Sequence, residues 1–290
     1  MPNKSRGGPG KAPKMFLFRV DIDSVSGLLR GVPRILSILD RLDMEGTFYS
    51  IMGWEGDLIS SLRHRFLRSR RGIPGGASGA SWGMGPVRLL EHSRCLLYPV
   101  KIPALGSGLL NEIRGGGHCL GVHGYVHVRW HSPSPRELEE EFEKMTLAFR
   151  DLTGESPRAI ATPLGHDGPG VRKLVARHNF KTLTGLGGDP ELVDTGDGSL
   201  PFVYIPVNVD SIEFLRTSGI SRKGTYERIT RKILEAERAH GLASLYVHPR
   251  YEGSHEIELL EKVLSFVRDE GIETGTHLQF ADAFKNGGAG

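Results

Sequence analysis

The sequence predicts a single-domain α/β fold, a closed or nearly closed (β/α) barrel of about seven strands. From Met15 onward, short apolar runs alternate with segments of helical periodicity. Strands that alternate with helices form a mainly parallel sheet covered by helices. A barrel accommodates that many units in one domain, and the 290 residues contain no visible short-period repeat or second domain.

Each predicted strand is a short apolar run bounded by turn residues. The first covers 16–22 and carries Asp21 at its end, with Asp23 directly after it. The later strands are predicted at 47–52, 118–123, 159–164, 182–186, 203–209 and 242–247.

Helices are predicted between most of these strands. Gly31-Val32-Pro33 opens a helix that Gly46 closes. Ser134-Pro135-Arg136-Glu137 is a capping box with proline at the first helical position, followed by apolar residues at helical spacing. Further helices are predicted at 171–178, 226–239 and 257–270.

Two segments stand outside this alternation. Residues 1–14 are predicted to be a flexible basic tail, because glycine, proline and lysine dominate them. The domain then spans 15–290, with an insertion at about 54–115 whose last helix ends near Arg114. Inside the insertion, the basic run 63–71 (Arg63 to Arg71) has two interpretations. It is a solvated helix face, or a peripheral membrane contact with lipid phosphates.

Composition excludes some classes of protein. The net charge is only +3, so no nucleic-acid partner is expected. No apolar run reaches the roughly 18 residues that a membrane-spanning helix requires. The two cysteines, Cys95 and Cys119, are too few for a disulfide framework and fit a reducing, cytoplasmic location.

The first strand ends in two carboxylates, Asp21 and Asp23. Side chains alternate along a strand, so two residues at this spacing project to the same side. The carboxyl ends of parallel strands form the rim where the active sites of barrels lie. Alone, the pair is also compatible with a helix cap and a solvated turn.

Histidines follow two later strands. His123 and His127 are four residues apart, and two imidazoles at that spacing can bind one metal ion. A cluster formed by chance on a surface loop is the alternative. His248 follows the run 242–247 and brings a third polar group to the same rim.

Together these residues predict a hydrolytic metal site. One carboxylate and two neutral imidazoles give three protein ligands and leave a position open for water, as in catalytic zinc sites. The second carboxylate can take a proton from that water. A histidine across the pocket can protonate a leaving amine.

The set resembles the polysaccharide deacetylase family, the NodB-like deacetylases of carbohydrate esterase family four. The family's first motif appears as Val20-Asp21-Ile22-Asp23-Ser24, its H-x-x-x-H motif as His123 and His127, and its late motif as Leu245-Tyr246-Val247-His248. The resemblance implies a distorted, incomplete (β/α) barrel. It also implies that Asp21 is the general base, that His248 is the general acid, and that the metal ligands are Asp23, His123 and His127.

Within the family, the chain most resembles the bacterial deformylases that act on formamido-arabinose linked to undecaprenyl phosphate. Shared features are the D-x-D spacing, the helix start Gly31-Val32-Pro33-Arg34, and the pair Glu252-Gly253 after the late histidine. An aromatic residue inside H-x-x-x-H and a tryptophan after it are also shared. The likeness implies that the substrate-binding residues are Tyr125, Trp130 and Leu164.

This sequence differs most from the family at the third motif. Its arginine, which lies near the base aspartate, is absent from Ile160-Ala161-Thr162-Pro163-Leu164-Gly165-His166-Asp167. His166 occupies the arginine's place and is predicted to orient Asp21. The family's D-x-x-D-W motif has no convincing counterpart, and Asp210 is its nearest candidate.

The sequence therefore predicts a hydrolase that uses a divalent metal ion, Zn²⁺ in the first instance. It would remove an acetyl or formyl group from an N-acylated sugar or sugar-lipid, in the cytoplasm or at the inner face of the membrane. Two alternatives stay open. One is a related amidohydrolase acting on a non-sugar amide such as a ureide, and the other is a non-catalytic carbohydrate- or lipid-binding relative.

Overall fold

A computed structural model describes residues 13–54, 100–127, 130, 133–165, 167–168 and 170–287. Most of the predicted insertion, with its basic run 63–71, lies outside these residues, as do His166 and nearly all of the predicted tail. The boundaries of tail and insertion therefore stay predictions.

Nine strands in the described part of the chain form one sheet. They are β1 (Met15–Ile22), β2 (Thr47–Ser50), β3 (Cys119–Val122), β4 (Ala159–Ala161), β5 (Thr182–Leu186), β6 (Glu191–Val193), β7 (Phe202–Val207), β8 (Leu242–Val247) and β9 (Thr274–Gly275). The order is β6-β7-β5-β4-β3-β2-β1-β8, and the short β9 pairs with β1. All described pairings are parallel except that of the edge strand β6 with β7.

The sheet curls until β7 and β8 meet. A parallel bridge joins Val209 to Leu245 beyond the end of β7. The side chain of Asn208 spans the same seam: its Nδ2 donates to the carbonyl of Leu242 and its Oδ1 accepts from the amide of Ser244, both at 2.8 Å. The seven parallel strands other than β9 thus form a distorted (β/α) barrel, which confirms the predicted fold.

Helices cover the outer face of the barrel, except the last one, which packs against inward-facing side chains near the amino ends of the strands. They are α1 (Val32–Leu42), α2 (Ile102–Gly115), α3 (Pro135–Thr153), α4 (Val171–Arg177), α5 (Ile212–Thr217), α6 (Arg222–His240), α7 (Glu252–His255), α8 (Ile257–Asp269) and α9 (His277–Gly287). A π-helical turn covers Gly27–Gly31 and a 3₁₀ turn covers Pro163–Gly165. None of the helices in the described ranges is long and apolar enough to cross a membrane.

Local signals explain where the helices begin and end. The capping box before α3 forms as predicted, because the Ser134 hydroxyl accepts from the Glu137 amide while the Glu137 carboxylate accepts from the Ser134 amide. The prediction that Gly46 closes α1 is wrong. That helix ends at Leu42, and Asp43 takes the left-handed conformation (φ 52°) that ends it.

Alternation along β1 separates the core from the barrel interior. Phe16, Phe18 and Val20 pack into the main core between sheet and helices. The other face begins with Met15 and Leu17, which pack with Phe280 of α9, and it continues with Arg19 and Asp21, both buried. The inward face therefore changes from apolar to charged towards the carboxyl end of the strand.

Candidate active site

The five residues predicted from sequence lie together at the carboxyl ends of the strands. Asp21 and Asp23 come from the end of β1, His123 and His127 follow β3, and His248 follows β8. Because β1 pairs with β2 and β8, and β2 with β3, these strand ends are close neighbours along the rim. Residues more than 200 positions apart in sequence thus come into contact.

Asp23, His123 and His127 form what we call the Asp-His-His cluster. Nε2 of His123 lies 3.6 Å from one carboxylate oxygen of Asp23, and Nε2 of His127 lies 3.7 Å from the other. One potential ligand atom from each residue lies within 4.8 Å of the other two. Oδ1 of Asp23 is buried and accepts no hydrogen bond from the residues that the structure describes. The cluster has the donor set of a catalytic divalent-metal site.

Both imidazoles of this cluster are suited to metal binding. Nδ1 of His123 lies 3.1 Å from the carbonyl of Ala161, so this nitrogen carries the proton and Nε2 keeps its lone pair. Burial, opposed by Asp21 and Asp23, lowers the pKa of His123 to about 4. Burial also lowers the pKa of His127 to about 4. Both rings are therefore neutral at pH 7.

Arg19 holds Asp21, and the sequence analysis missed this arginine. Its Nε and a terminal nitrogen bind the two carboxylate oxygens of Asp21 at 2.7 and 2.8 Å. The guanidinium also lies near the rings of Tyr49 and Tyr246, 5.5 and 5.9 Å from their centroids. Burial alone would raise the pKa of Asp21, but the charge and hydrogen bonds of Arg19, with His123, bring it to about 2.

An arginine therefore lies beside Asp21, although the third motif lacks one. The family's third motif predicts it after β4, whereas β1 supplies it two residues before the aspartate, on the same face of the strand. The signal was visible: an arginine inside an otherwise apolar strand is costly to bury unless it is paired. His166 lies outside the described residues, and its predicted role stays untested.

Glu213 and His248 form a second unit, the Glu-His pair. Oε2 of Glu213 lies 2.8 Å from Nδ1 of His248, and Nε2 of that ring lies 3.5 Å from Asp23. Burial would lower the pKa of His248, but its hydrogen bond to Glu213 and the charge of Asp23 raise it to about 10. The ring is thus a cation at neutral pH, unlike the imidazoles of the Asp-His-His cluster.

Glu213 replaces Asp210 as the acidic residue at the site. The Asp210 carboxylate is half-buried and pairs with Arg228 at 3.2 Å. Glu213 lies three residues later, at the second acidic position of the D-x-x-D pattern. Glu213 was not predicted from the sequence, because a glutamate stands where the family motif has an aspartate.

The three predicted substrate-binding residues have different environments. The side chain of Trp130 is 1% exposed and packs against Phe142 in the core, which does not favour a direct substrate contact, and its role stays a prediction. Tyr125 is half-buried within the H-x-x-x-H loop. Leu164 is 37% exposed just after β4 and has a left-handed backbone (φ 58°), which is unusual for leucine. Leu164 and Tyr125 remain predicted substrate contacts.

Comparison with known proteins shows what the chain is similar to. The family model described as polysaccharide deacetylase matches residues 21–183, a stretch that includes Asp21, Asp23, His123 and His127. A protein of Shewanella sediminis (strain HAW-EB3), assigned as the 4-deoxy-4-formamido-L-arabinose-phosphoundecaprenol deformylase ArnD, is 24% identical over 278 residues. The alignment covers 91% of this chain and 85% of that protein.

Two solved structures share the fold. One, assigned as a polysaccharide deacetylase from Mycobacterium smegmatis, superposes with a TM-score of 0.68 at 18% identity and covers 99% of this chain and 95% of its own. The other, the allantoinase PuuE, superposes with a TM-score of 0.65 at 14% identity, covering 98% and 94%. At these identities the likeness establishes the fold.

Proposed function

Because the chain belongs to the polysaccharide deacetylase family, we propose that it is a metal-dependent hydrolase that removes an acetyl or formyl group from an N-acylated sugar. One observation carries the proposal. The Asp-His-His cluster lies between a carboxylate held by arginine, Asp21, and an imidazole held by carboxylate, His248. A ligand set, a base and an acid on one rim are the parts that amide hydrolysis requires.

Asp23, His123 and His127 would hold the metal ion. The buried Oδ1 of Asp23 without a described hydrogen-bond donor supports this assignment, and so do the two neutral imidazoles facing the carboxylate. A bound divalent ion such as Zn²⁺ acidifies water and polarises the amide carbonyl. We prefer Zn²⁺ because imidazole and carboxylate ligands in a three-residue set suit it.

Asp21 would act as the general base. Arg19 occupies both oxygens of its carboxylate, which fixes its orientation beside the cluster and keeps it charged at neutral pH. The same arginine makes the carboxylate a weaker base. Only a nucleophile that is already acidified can give up its proton to such a group, so base and ligand cluster act as one unit.

His248 would act as the general acid. Amide hydrolysis stalls unless the departing nitrogen gains a proton, and a charged imidazole facing the cluster supplies it. Glu213 keeps that ring charged by binding Nδ1, which leaves the Nε2 proton free to face the site. After His248 has donated its proton, the negative charge of Glu213 favours reprotonation of the ring.

A sugar-lipid is the finer form of the proposed substrate. Support comes from the likeness to ArnD, whose name specifies a formamido sugar linked to undecaprenyl phosphate. The basic run 63–71 offers charges for lipid phosphates. With such a substrate, the protein would work in the cytoplasm, at the inner face of the membrane.

A non-sugar amide is the second candidate. The shared fold with an allantoinase is the observation that favours it, since a cyclic ureide also needs hydrolysis of a carbon–nitrogen bond. The non-catalytic alternative has less support, because the predicted ligands, base and acid are all retained and in contact.

The test combines metal analysis with a substrate panel. We expect the purified full chain to bind one Zn²⁺ and to release formate or acetate from N-formyl or N-acetyl amino sugars, with allantoin unchanged. The variant Asp23→Ala should lose both metal and turnover. Hydrolysis of allantoin alone would favour the ureide alternative, and a wild-type chain that binds no divalent ion would contradict the proposal.

A further inference from the structure

Two buried glutamates outside the predicted site each bind two backbone amides of its loops. We propose that Glu141 and Glu252 are positioning residues, of which Glu141 fixes the Asp-His-His cluster and Glu252 fixes the Glu-His pair. The inference rests on the proposed function, since it assigns separate tasks to those two units. Neither glutamate touches the reacting groups in that function.

Glu252 joins the two members of the Glu-His pair through their backbones. It is 0% exposed, and its two oxygens accept from different amides. Oε1 accepts from the amide of Glu213 at 2.8 Å, and Oε2 accepts from the amide of His248 at 2.9 Å. One carboxylate therefore sets the start of α5 against the end of β8. The side chains of Glu213 and His248 meet because their backbones are held together.

Glu213, His248 and Glu252 also bring three potential metal-ligating atoms together. A second metal site is the alternative explanation for this group. Both oxygens of Glu252 are already used by amides, and Nδ1 of His248 already faces Glu213. The group therefore works as a hydrogen-bonded clamp.

The helix that carries Glu252 is anchored to the segment after Asp23. A Cβ on Gly253 would lie 2.6 Å from the Cα of Gly31, so the two glycine backbones are in direct contact. The Arg34 guanidinium donates to the Gly253 carbonyl at 2.8 Å. The helix start Gly31-Val32-Pro33-Arg34 and the pair Glu252-Gly253, two sequence features without a role so far, thus pack against each other.

Glu141 holds the loop between the two histidine ligands. Its side chain comes from α3, and one oxygen, Oε1, accepts from the amides of Tyr125 and Val126 at 2.7 and 2.9 Å. Those amides lie between His123 and His127, after Gly124, whose φ is 99°. The loop conformation decides whether both imidazoles reach Asp23, so Glu141 acts on metal binding.

Glu141 and Glu252 differ in how well a glutamine could replace them. Glu141 uses one oxygen for both amides, so Glu141→Gln can keep both hydrogen bonds. Glu252 uses both oxygens, so Glu252→Gln must turn its NH₂ group toward a backbone N–H and lose one bond. Alanine removes both bonds in either case. The four variants therefore distinguish the loss of hydrogen bonds to the loop amides from the mere loss of a buried carboxylate.

The experiment measures two readouts that need no substrate. Zn²⁺ affinity is measured on the full chain by competition with a chromophoric chelator. The downfield ¹H resonance of the His248 Nδ1 proton is measured by NMR on the metal-free chain, assigned by its loss in Glu213→Gln. Thermal melting followed by circular dichroism identifies any variant that fails to fold.

We expect Glu141→Ala to weaken Zn²⁺ binding by about 10- to 100-fold and to leave the His248 resonance in place. Glu141→Gln should restore wild-type affinity. Glu252→Ala and Glu252→Gln should abolish or shift the resonance while Zn²⁺ affinity is unchanged. Where an alanine variant does not fold, the glutamine variant decides for that residue.

Several results would overturn the inference. A His248 resonance that persists in the Glu252 variants, or that is missing from the wild type, removes the role of Glu252. Wild-type Zn²⁺ affinity in Glu141→Ala removes the role of Glu141. Variants that change both readouts together contradict separate positioning. Failure of the proposed function is distinct, because it appears as a wild-type chain that binds no Zn²⁺ or hydrolyses no N-acyl sugar.

Discussion

The Asp-His-His cluster and the Glu-His pair use the same side chain for opposite purposes. In the cluster, burial lowers the pKa of His123 and His127 to about 4, so both rings are neutral. In the pair, burial acts the same way on His248, but a carboxylate 2.8 Å away outweighs it and the pKa rises to about 10. A carboxylate partner therefore decides the charge of a buried imidazole. Without one the ring is neutral, and with one it is a cation.

The two aspartates repeat this contrast. Asp21 lies in β1 and Asp23 follows the strand directly, yet their partners differ. Arg19 binds both oxygens of Asp21, whereas Nε2 of the charged His248 ring lies 3.5 Å from Oδ2 of Asp23, and Oδ1 of Asp23 accepts no hydrogen bond from the described residues. The pKa of Asp21 falls to about 2, whereas burial raises the pKa of Asp23. The contact with His248 does not offset the burial of Asp23, so a further positive charge, such as that of a bound metal ion, would stabilise its carboxylate.

The largest expected effect is the difference between removing His127 and removing His248. His127→Ala should lose bound metal and all measurable turnover, because one of three ligands is gone. His248→Ala should keep its metal but lose about 10²- to 10⁴-fold in kcat, the usual contribution of a general acid. Elemental analysis and steady-state kinetics on both variants check this. Metal loss in His248→Ala would instead place that histidine among the ligands.

The next largest effect is on folding stability, to which Asp21 and Asp23 should contribute differently. Arg19→Met leaves the Asp21 carboxylate buried without its partner, so the free energy of unfolding should fall by about 3–5 kcal/mol. Asp23→Asn should cost far less, since burial raises the pKa of Asp23 and its contact with the charged His248 ring is 3.5 Å long. Urea unfolding with a chelator present measures both. Equal losses would contradict the distinction.

A smaller effect is expected at Glu213. Glu213→Gln keeps the shape of the side chain but removes the charge that holds His248 protonated. We expect kcat to fall about 10- to 100-fold, the equivalent of one hydrogen bond to a charged group. Asp210→Asn is the matched control, because Asp210 pairs only with Arg228 in the described contacts. Similar losses in both variants would show that Glu213 has no special role.

The smallest effect concerns His277, a buried histidine away from both units. Burial, with the charge of Arg19, lowers the pKa of His277 to about 3. The folded chain then binds fewer protons here than the unfolded chain, whose histidine titrates near 6.5. Stability from this residue is therefore complete above pH 6.5 and is lost as pH falls towards 3.

Between pH 7.5 and pH 5.5 this amounts to about 1.4 kcal/mol, one pKa unit below the unfolded value. From pH 7.5 to pH 5.5, the free energy of unfolding of His277→Phe should therefore fall by about 1.4 kcal/mol less than that of the wild type. Urea unfolding at the two pH values provides the measurement, and each variant serves as its own reference. An unchanged pH dependence would mean that His277 is protonated or hydrated in the folded chain.

The sequence alone predicted the barrel and the five residues at its rim. Apolar runs give strands, their alternation with helices gives a parallel sheet, and polar residues at strand ends then lie on one edge. These are local patterns, and β5 and β8 appeared within the predicted bounds. The short elements were missed, such as α5, β6 and β9, because a few residues carry no readable period.

Only the tertiary structure decided which charged and polar groups of the site contact one another. Arg19 reaches Asp21 within one strand, but the contact of Glu213 with His248 and the hydrogen bond from the Glu213 amide to Glu252 join segments that are separate in sequence. The burial of Trp130 against Phe142 was likewise set by packing. Residue type and spacing predict which side chains can bind a metal or move a proton. Their charge depends on burial and on partners that meet only when the sheet closes.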